Sequence, residues 1–244
     1  MNENITSIVF DLGGTLRIAL KDEEWMRQGR IHLAELAGTD LPFEEFYQLI
    51  EERYAKYREW ALAENKEAND ADLWGKWVLY DYPQELILAN AHQLSYEYRQ
   101  SKGRRVVVDH GVEVIRELHK RGYRLAIISN LIGETEVPEW LEADGLTDLF
   151  DSVILSPVCG LRKPDPEIYR VCCREMGIDP ATMASIADNQ GRDITGAREA
   201  GIGCCVLFRS PEKKHPVEPD GENPPDFVVD DFRELLDIFP PKEA

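Results

Sequence analysis

The sequence predicts an α/β fold in which a doubly wound, Rossmann-like parallel sheet is interrupted near its start by a helical insertion. From Val106 onward, short apolar runs alternate with helical patterns, and this alternation is typical of parallel strands joined by helices. An isolated apolar run, Ile5–Phe10, precedes the insertion and ends in a glycine-rich turn. Between these two parts the pattern is helical only.

The insertion is predicted to be a bundle of four helices spanning residues 17–105. Apolar and aromatic side chains recur at helical spacing after Pro42 and again after Pro83, a residue suited to the start of a helix. Shorter helical patterns cover Glu23–Leu36 and Ala71–Tyr80. No convincing strand is found among them, so we expect a separate helical domain, the cap.

The main domain is predicted to comprise residues 1–16 and 106–244. Apolar runs predict its further strands, at Tyr123–Ser129, Ser152–Leu155, Met183–Ala187, Cys204–Phe208 and Phe227–Val229. Helices are predicted between or after them, at Gly111–Arg121, Val137–Ala143, Pro166–Met176, Arg192–Ala200 and Phe232–Phe239. The proline-dense stretch Pro211–Pro225 is predicted to be a solvated loop.

The charge of the chain excludes some classes of partner. The 244 residues carry a formal net charge of -18, whereas nucleic acids and anionic membranes are bound by clustered Lys and Arg. We therefore expect neither as a partner. A site for a phosphate ester would need local positive charge from a metal ion, a lysine or backbone N–H groups.

Cysteine usage and the lack of long apolar runs predict a soluble cytoplasmic protein. The five cysteines are odd in number and lack Cys-x-x-Cys spacing, which favours reduced thiols in the core. No basic, apolar leader is seen at the start, and no apolar run approaches the roughly 20 residues of a membrane span. A monomer and a homodimer are both compatible with the sequence.

Polar residues follow four of the predicted strands, at the positions where ligands bind in open parallel sheets. They are Asp11, Ser129 with Asn130, Lys163, and Asp188 with Asp193. Taken singly, each has an ordinary structural explanation, because Asp, Ser and Asn cap helices and form turns. Their joint occurrence at successive strand ends favours a shared active site.

The order and type of these residues resemble the four motifs of the haloacid dehalogenase-like hydrolases. The segments that carry the resemblance are Val9–Leu16 (VFDLGGTL), Ile127–Asn130 (IISN), Gly160–Tyr169 (GLRKPDPEIY) and Ile186–Ala197 (IADNQGRDITGA). The branch of the family that has a helical cap between its first and second motifs is the one this chain resembles. The resemblance covers the whole chain and implies hydrolysis of a small phosphorylated molecule.

The resemblance also implies a role for each residue. Asp11 would attack phosphorus and form an aspartyl-phosphate, which splits one difficult displacement into two. A magnesium ion would be held by Asp11, Asp188, Asp193 and the backbone carbonyl of Gly13, because Mg²⁺ prefers oxygen ligands. A further group, namely Lys163, Ser129, Asn130 and Gly14, would bind the phosphoryl oxygens, and Lys163 would also hold the nucleophile.

One residue departs from the family pattern. Phosphatases of the family usually carry a second aspartate two positions after the nucleophile, which protonates the leaving oxygen, and this chain has Gly13 there. Loss of a positioned acid–base costs a factor of about 10² to 10⁴ in rate. We therefore expect either a restriction to activated phosphates (acyl, anomeric or aryl) or a replacement acid from the cap.

Two alternatives to a phosphatase follow from the same departure. A haloacid dehalogenase would use Asp11 to attack carbon and would need neither a leaving-group acid nor a metal. The retention of both Asp188 and Asp193 favours the metal-using reaction over this one. A catalytically poor protein that only binds a phosphorylated ligand is the other alternative.

Overall fold

The computed structural model describes residues 4–209 and 223–242. Most of the predicted Pro211–Pro225 loop therefore lies outside the described residues. Within them, no helix is long and apolar enough to cross a membrane.

The central element is a parallel sheet. The strands of the structure are β1 (Ser7–Phe10), β2 (Arg17–Leu20), β3 (Arg104–Val107), β4 (Arg124–Ser129), β5 (Phe150–Leu155), β6 (Met183–Ala187), β7 (Cys204–Phe208) and β8 (Phe227–Val229). The strand order of the sheet is β5-β4-β1-β6-β7-β8. Each strand predicted for the main domain is present. The predicted α/β fold class is thus confirmed.

Side chains of the sheet alternate between two buried clusters. In β1, Ile8 and Phe10 pack in one cluster, whereas Val9 packs in the other. Neighbouring β4 alternates in the same way, with Ile127 in the first cluster and Ile128 in the second. This alternation follows from the period of two in a strand, and both faces must be apolar because helices cover both.

The α-helices fall into two groups along the chain. Those between β2 and β3 are α1 (Glu23–Ala37), α2 (Phe43–Glu64), α3 (Asp70–Asp72), α4 (Gln84–Ala89) and α5 (Ala91–Gln100). Those that follow β3 are α6 (Gly111–Lys120), α7 (Glu136–Ala143), α8 (Ser156–Cys159), α9 (Glu167–Met176), α10 (Thr195–Ala200) and α11 (Leu235–Ile238).

The cap is helical at each of the four predicted stretches, with two differences. The third is mainly a π-helix, Leu73–Val78, which continues α3. The fourth is broken at Asn90, whose backbone leaves the helical region at φ -102° and ψ 5°. Its side chain donates a hydrogen bond to the carbonyl of Leu36 at 2.9 Å. This bond ties the break between α4 and α5 to the end of α1, and Asn is a poor helix former.

A two-stranded antiparallel ribbon was not predicted. It consists of β2 and β3, in which Ala19 lies opposite Arg105. Both strands have only four residues, and two of the four in β3 are arginines, so their sequences carry no clear strand pattern. The ribbon lies at the two connections between cap and main domain. The proposed cap, residues 17–105, begins with the first residue of β2 and ends within β3.

The cysteines are free thiols. Four of them are buried and Cys159 is partly buried. Burial raises the pKa of Cys172 and of Cys205 to about 12, so these thiols are protonated at neutral pH. Their role is packing, as the sequence predicts.

Close packing of α10 against the loop after β5 generates a prediction about stability. A Cβ added at Gly196 would lie 2.6 Å from the carbonyl oxygen of Pro164. Gly196→Ala is therefore expected to lower the free energy of unfolding by about 1–3 kcal/mol, as overpacking does. Gly191→Ala is the matched control, because a Cβ there meets nothing within 4 Å. Urea denaturation measures both, and equal midpoints would contradict this view of the packing.

Candidate active site

Three carboxylates meet at the carboxyl edge of the sheet. Asp11 follows β1 and Asp188 follows β6, while Asp193 lies in the π-helical segment Gln190–Ile194. All three are buried, with relative exposures of 5%, 3% and 0%. They offer oxygen atoms within 4.8 Å of one another. They converge because β1 pairs with β6, and the backbone N–H of Asp11 donates to the carbonyl of Ile186 at 2.9 Å.

The ammonium group of Lys163 lies among these carboxylates. Its Nζ is 2.6 Å from Asp11 Oδ1 and 2.7 Å from Asp193 Oδ1. It also donates to the backbone carbonyl of Ile128 at 3.0 Å. A lysine has three N–H donors, so each has an acceptor within the protein.

Asn130 fixes the backbone of Lys163. Its Nδ2 donates to the Lys163 carbonyl at 2.8 Å, and its Oδ1 accepts from the Lys163 N–H at 2.9 Å. Asn130 thus positions Lys163, and direct binding of substrate by Asn130 stays a prediction. Binding of substrate by Ser129 also stays a prediction. Ser129 ends β4 and is 2% exposed.

Arg192 is a site residue that the sequence reasoning missed. Its Nη2 lies 2.8 Å from Asp193 Oδ2, 3.6 Å from Asp11 Oδ2 and 3.8 Å from Asp188 Oδ1. It therefore faces all three carboxylates. The signal that could have shown this is its place in the fourth motif, directly before Asp193 and four residues after Asp188.

Two cations, Lys163 and Arg192, face the three carboxylates of the site. Burial by itself would raise the pKa of Asp193, but the charges of Lys163 and Arg192 and their hydrogen bonds keep that pKa below its ordinary value. Burial opposes the charge of Arg192 as well, yet Asp193 and Asp11 raise its pKa. At their formal charges, the three carboxylates and two cations sum to one negative charge in excess.

The oxygens of Asp11 are held unequally. Oδ1 accepts from Lys163 at 2.6 Å, whereas Oδ2 accepts only a long hydrogen bond of 3.4 Å from Thr15. In the same turn, the N–H of Gly14 donates to the carbonyl of Arg17 at 2.8 Å. The Gly14 N–H thus has a protein partner, and its predicted contact with substrate stays untested.

The donor set fits a magnesium ion. Asp11, Asp188 and Asp193 are hard oxygen ligands, and their excess of negative charge is what a divalent cation would neutralise. Arg192 points at the same oxygens, so it would share them with a bound ion or move aside. The Gly13 carbonyl stays a predicted ligand.

A cavity of about 540 Å³ lies between the cap and the main domain. Asn130 and Arg192 line it on the side of the main domain. The rest of its lining is rich in cations, including Arg58, Arg99, Lys102, Arg105 and Arg162. The lining is therefore much richer in cations than the chain as a whole, whose formal net charge is -18.

Buried contacts join the cap to the main domain beside this cavity. The Glu67 carboxylate accepts from the Tyr57 hydroxyl and from Arg162, and also from Ser156 at 3.0 Å. Burial raises the pKa of Glu67, although Arg162 offsets part of that effect. A second contact is reciprocal, since the N–H of Asp70 donates to Glu134 at 2.9 Å and the N–H of Glu134 donates to Asp70 at 3.2 Å.

Known proteins similar to this chain include phosphatases. It is 26% identical to glyceraldehyde 3-phosphate phosphatase of Methanopyrus kandleri over 96% of this chain and 97% of that protein. It is 29% identical to phosphoserine phosphatase of Thermus thermophilus and 30% identical to phosphoglycolate phosphatase of Vibrio vulnificus. Those two matches cover 60% of this chain and 56% and 58% of the relatives.

Solved structures share the fold along nearly the whole chain. The 2-haloacid dehalogenase of Pseudomonas syringae superimposes with a TM-score of 0.67 at 20% identity, covering 96% of this chain and 97% of that one. A HAD phosphatase from Thermococcus onnurineus gives a TM-score of 0.60 at 21% identity, covering 98% and 100%. The sequence model of the haloacid dehalogenase-like hydrolases matches residues 5–201. The chain therefore belongs to the haloacid dehalogenase-like hydrolase family.

Proposed function

We propose that the chain is a magnesium-dependent phosphohydrolase that acts on a small phosphorylated metabolite through an aspartyl-phosphate at Asp11. The observation that carries this proposal is the buried Asp11 carboxylate, held by Lys163 at 2.6 Å beside Asp188 and Asp193. The full-length similarity to a phosphatase supports the same reaction.

Asp11 Oδ2 is the oxygen we assign as the nucleophile. Lys163 binds Oδ1 tightly, whereas the contacts of Oδ2 with Thr15 and Arg192 are 3.4 and 3.6 Å long. Oδ2 would attack phosphorus, and the bond between phosphorus and the leaving oxygen would break. Water would then hydrolyse the acyl phosphate and regenerate Asp11.

The cations of the site would stabilise charge during the transfer. Arg192 is the better placed of the two to meet phosphoryl oxygens, because it lines the cavity while the donors of Lys163 are all in use. A bound magnesium ion, held by Asp11, Asp188, Asp193 and the Gly13 carbonyl, would supply further neutralisation. Such charge stabilisation acts most strongly where water is excluded, as under the cap.

The leaving group would receive no proton from position 13. We propose that the enzyme prefers activated phosphates, whose leaving oxygens depart as anions. The other expectation, a replacement acid from the cap, has Glu67 as its best candidate, because it lines the cavity and its pKa is raised by burial. However, Glu67 already accepts three hydrogen bonds, which favours a structural role.

Dehalogenation remains the second candidate reaction. The absence of a carboxylate at Gly13 favours it, because a departing halide needs no proton. Asp188 and Asp193 favour phosphate hydrolysis, since dehalogenation requires no metal. Turnover of chloroacetate compared with phosphate esters distinguishes the two reactions. Tight binding of phosphate, measured as a rise in melting temperature, without turnover of chloroacetate or of phosphate esters would establish instead a protein that only binds a phosphorylated ligand.

The nucleophile can be tested directly. Asp11→Asn is expected to abolish phosphate release from p-nitrophenyl phosphate and acetyl phosphate, because an amide is a poor nucleophile toward phosphorus. Release by the native protein is expected to require Mg²⁺ and to stop with a chelator. Asp151→Asn, an exposed change at the ion pair with Arg124, is the matched control. Full activity of Asp11→Asn, or of the chelated protein, would contradict the mechanism.

Position 13 allows a gain-of-function test. A Cβ at Gly13 meets nothing within 4 Å, so a side chain can begin there without displacing other atoms. Gly13→Asp is expected to raise turnover of alkyl phosphates by up to about 10²-fold, because it supplies the missing acid. Gly13→Asn has the same shape and no exchangeable acid, and it serves as the control. Equal rates for the two variants would show that position 13 does not limit the rate.

Arg192 is expected to compete with the metal. Because its guanidinium faces all three carboxylates, Arg192→Met should tighten Mg²⁺ binding by about tenfold or more through loss of like-charge repulsion. Calorimetric titration of the metal-free protein measures this. Arg198→Met removes a guanidinium paired with Asp226, away from the three carboxylates, and should leave the affinity unchanged. Weaker Mg²⁺ binding by Arg192→Met would show that Arg192 supports the metal site and does not compete with the ion.

A further inference from the structure

Three arginines lie near the buried carboxylate of Glu136, beside the ribbon between cap and main domain, and two of them bind it. Arg17 Nη1 lies 3.3 Å from Glu136 Oε1, and Arg99 binds the other oxygen of Glu136. Glu136 is only 5% exposed. Arg105 is the third arginine, and no carboxylate within the described residues forms an ion pair with its side chain. The cluster therefore carries an excess of positive charge.

Such an excess is costly where water is scarce. Burial lowers the pKa of Arg105 to about 10, and the nearby charge of Arg99 lowers it further, while Glu136 opposes both. Arg17 is affected in the same direction, chiefly by burial. Buried charges are normally paired, so the cluster lacks an anion.

The cluster opens into the same cavity as the candidate active site. Arg99 and Arg105 line this cavity together with Asn130 and Arg192. Two other cations of the lining have carboxylate partners, since Lys102 pairs with Glu51 at 2.5 Å and Arg162 pairs with Glu67. A molecule whose phosphoryl group lies near Arg192 would thus extend toward Arg105.

We propose that Arg105, with Arg99 beside it, binds a second anionic group of the substrate, so that the substrate class is phosphorylated acids. This inference rests on the proposed phosphohydrolase function. Charge-assisted hydrogen bonds to a guanidinium favour a carboxylate or a second phosphate at that position. The class excludes phosphorylated alcohols without another ionised group as preferred substrates.

Binding of non-hydrolysable phosphonates tests the proposal without requiring turnover. Calorimetry in the presence of Mg²⁺ compares 3-phosphonopropanoate with 3-hydroxypropylphosphonate, which replaces the carboxylate by a neutral hydroxymethyl group. The native protein is expected to bind the carboxylate about 10- to 100-fold more tightly. Ethane-1,2-bisphosphonate, which has the same two-carbon spacer, shows whether a second phosphonate or a carboxylate is the preferred group.

Variants locate the effect at Arg105. Arg105→Met is expected to remove most of the discrimination, and Arg105→Lys to retain part of it. Arg104→Met is the matched control, because Arg104 is the neighbouring strand residue and its half-exposed side chain lies 3.7 Å from Asp22 instead. Equal binding of the two phosphonates by the native protein would overturn the proposal, as would unchanged discrimination in Arg105→Met.

Turnover of p-nitrophenyl phosphate separates this inference from the proposed function. The native protein is expected to turn this ester over with Mg²⁺, and the melting temperature of Arg105→Met, compared with that of Arg104→Met, shows whether the variant folds. If Arg105→Met does not fold, the native comparison and Arg105→Lys decide. Discrimination between the phosphonates without any turnover would support the binding site and refute the phosphohydrolase.

Discussion

The position of Lys163 among buried carboxylates is the constraint on which the site depends. Two of the three carboxylates, Asp11 and Asp193, are within 2.7 Å of its ammonium group. Removing a charge from water costs several kcal/mol, and only partners at such distances offset that cost. The lysine also binds the carbonyl of Ile128, so one side chain joins the ends of β1 and β4 to the segment after β6. A lysine here is therefore both a structural and an electrostatic requirement.

The distribution of charge separates long-range from local effects. With a net charge of -18, the surface repels phosphate esters at a distance, but salt screens that repulsion beyond about 8 Å at physiological ionic strength. Inside the cavity, which the cap partly encloses, screening is weaker than on the surface, and Arg99, Arg105 and Arg192 all line it. An acidic protein can thus hold an anionic substrate, provided that its cations converge on one cavity. The sequence indicated the need for such local charge but not its location.

What could be predicted from the sequence follows from the range of the interactions involved. The strands β6 and β7 were predicted to the residue, because an apolar run buried on both faces is a local pattern. The carboxyl ends of these strands then located Asp188, as they did Asp11 at β1. The ribbon of β2 and β3 was missed because each strand has four residues and is defined by its partner. The cluster of Arg17, Arg99, Arg105 and Glu136 was missed because it joins three separate parts of the chain, and no local pattern encodes such a contact.

The backbone and surroundings of Gly13 show whether the fold requires a glycine at this position. A glycine is required where the backbone is left-handed or where a Cβ would clash, and the neighbouring Gly14, with φ of 88°, is of the first kind. Gly13 is of neither kind, because its backbone lies outside the left-handed region and a Cβ meets nothing within 4 Å. The fold therefore does not impose the absence of a carboxylate at this position. On the proposed function, the explanation lies in the reaction, in a leaving group that departs without a proton or in an acid supplied from elsewhere in the cavity.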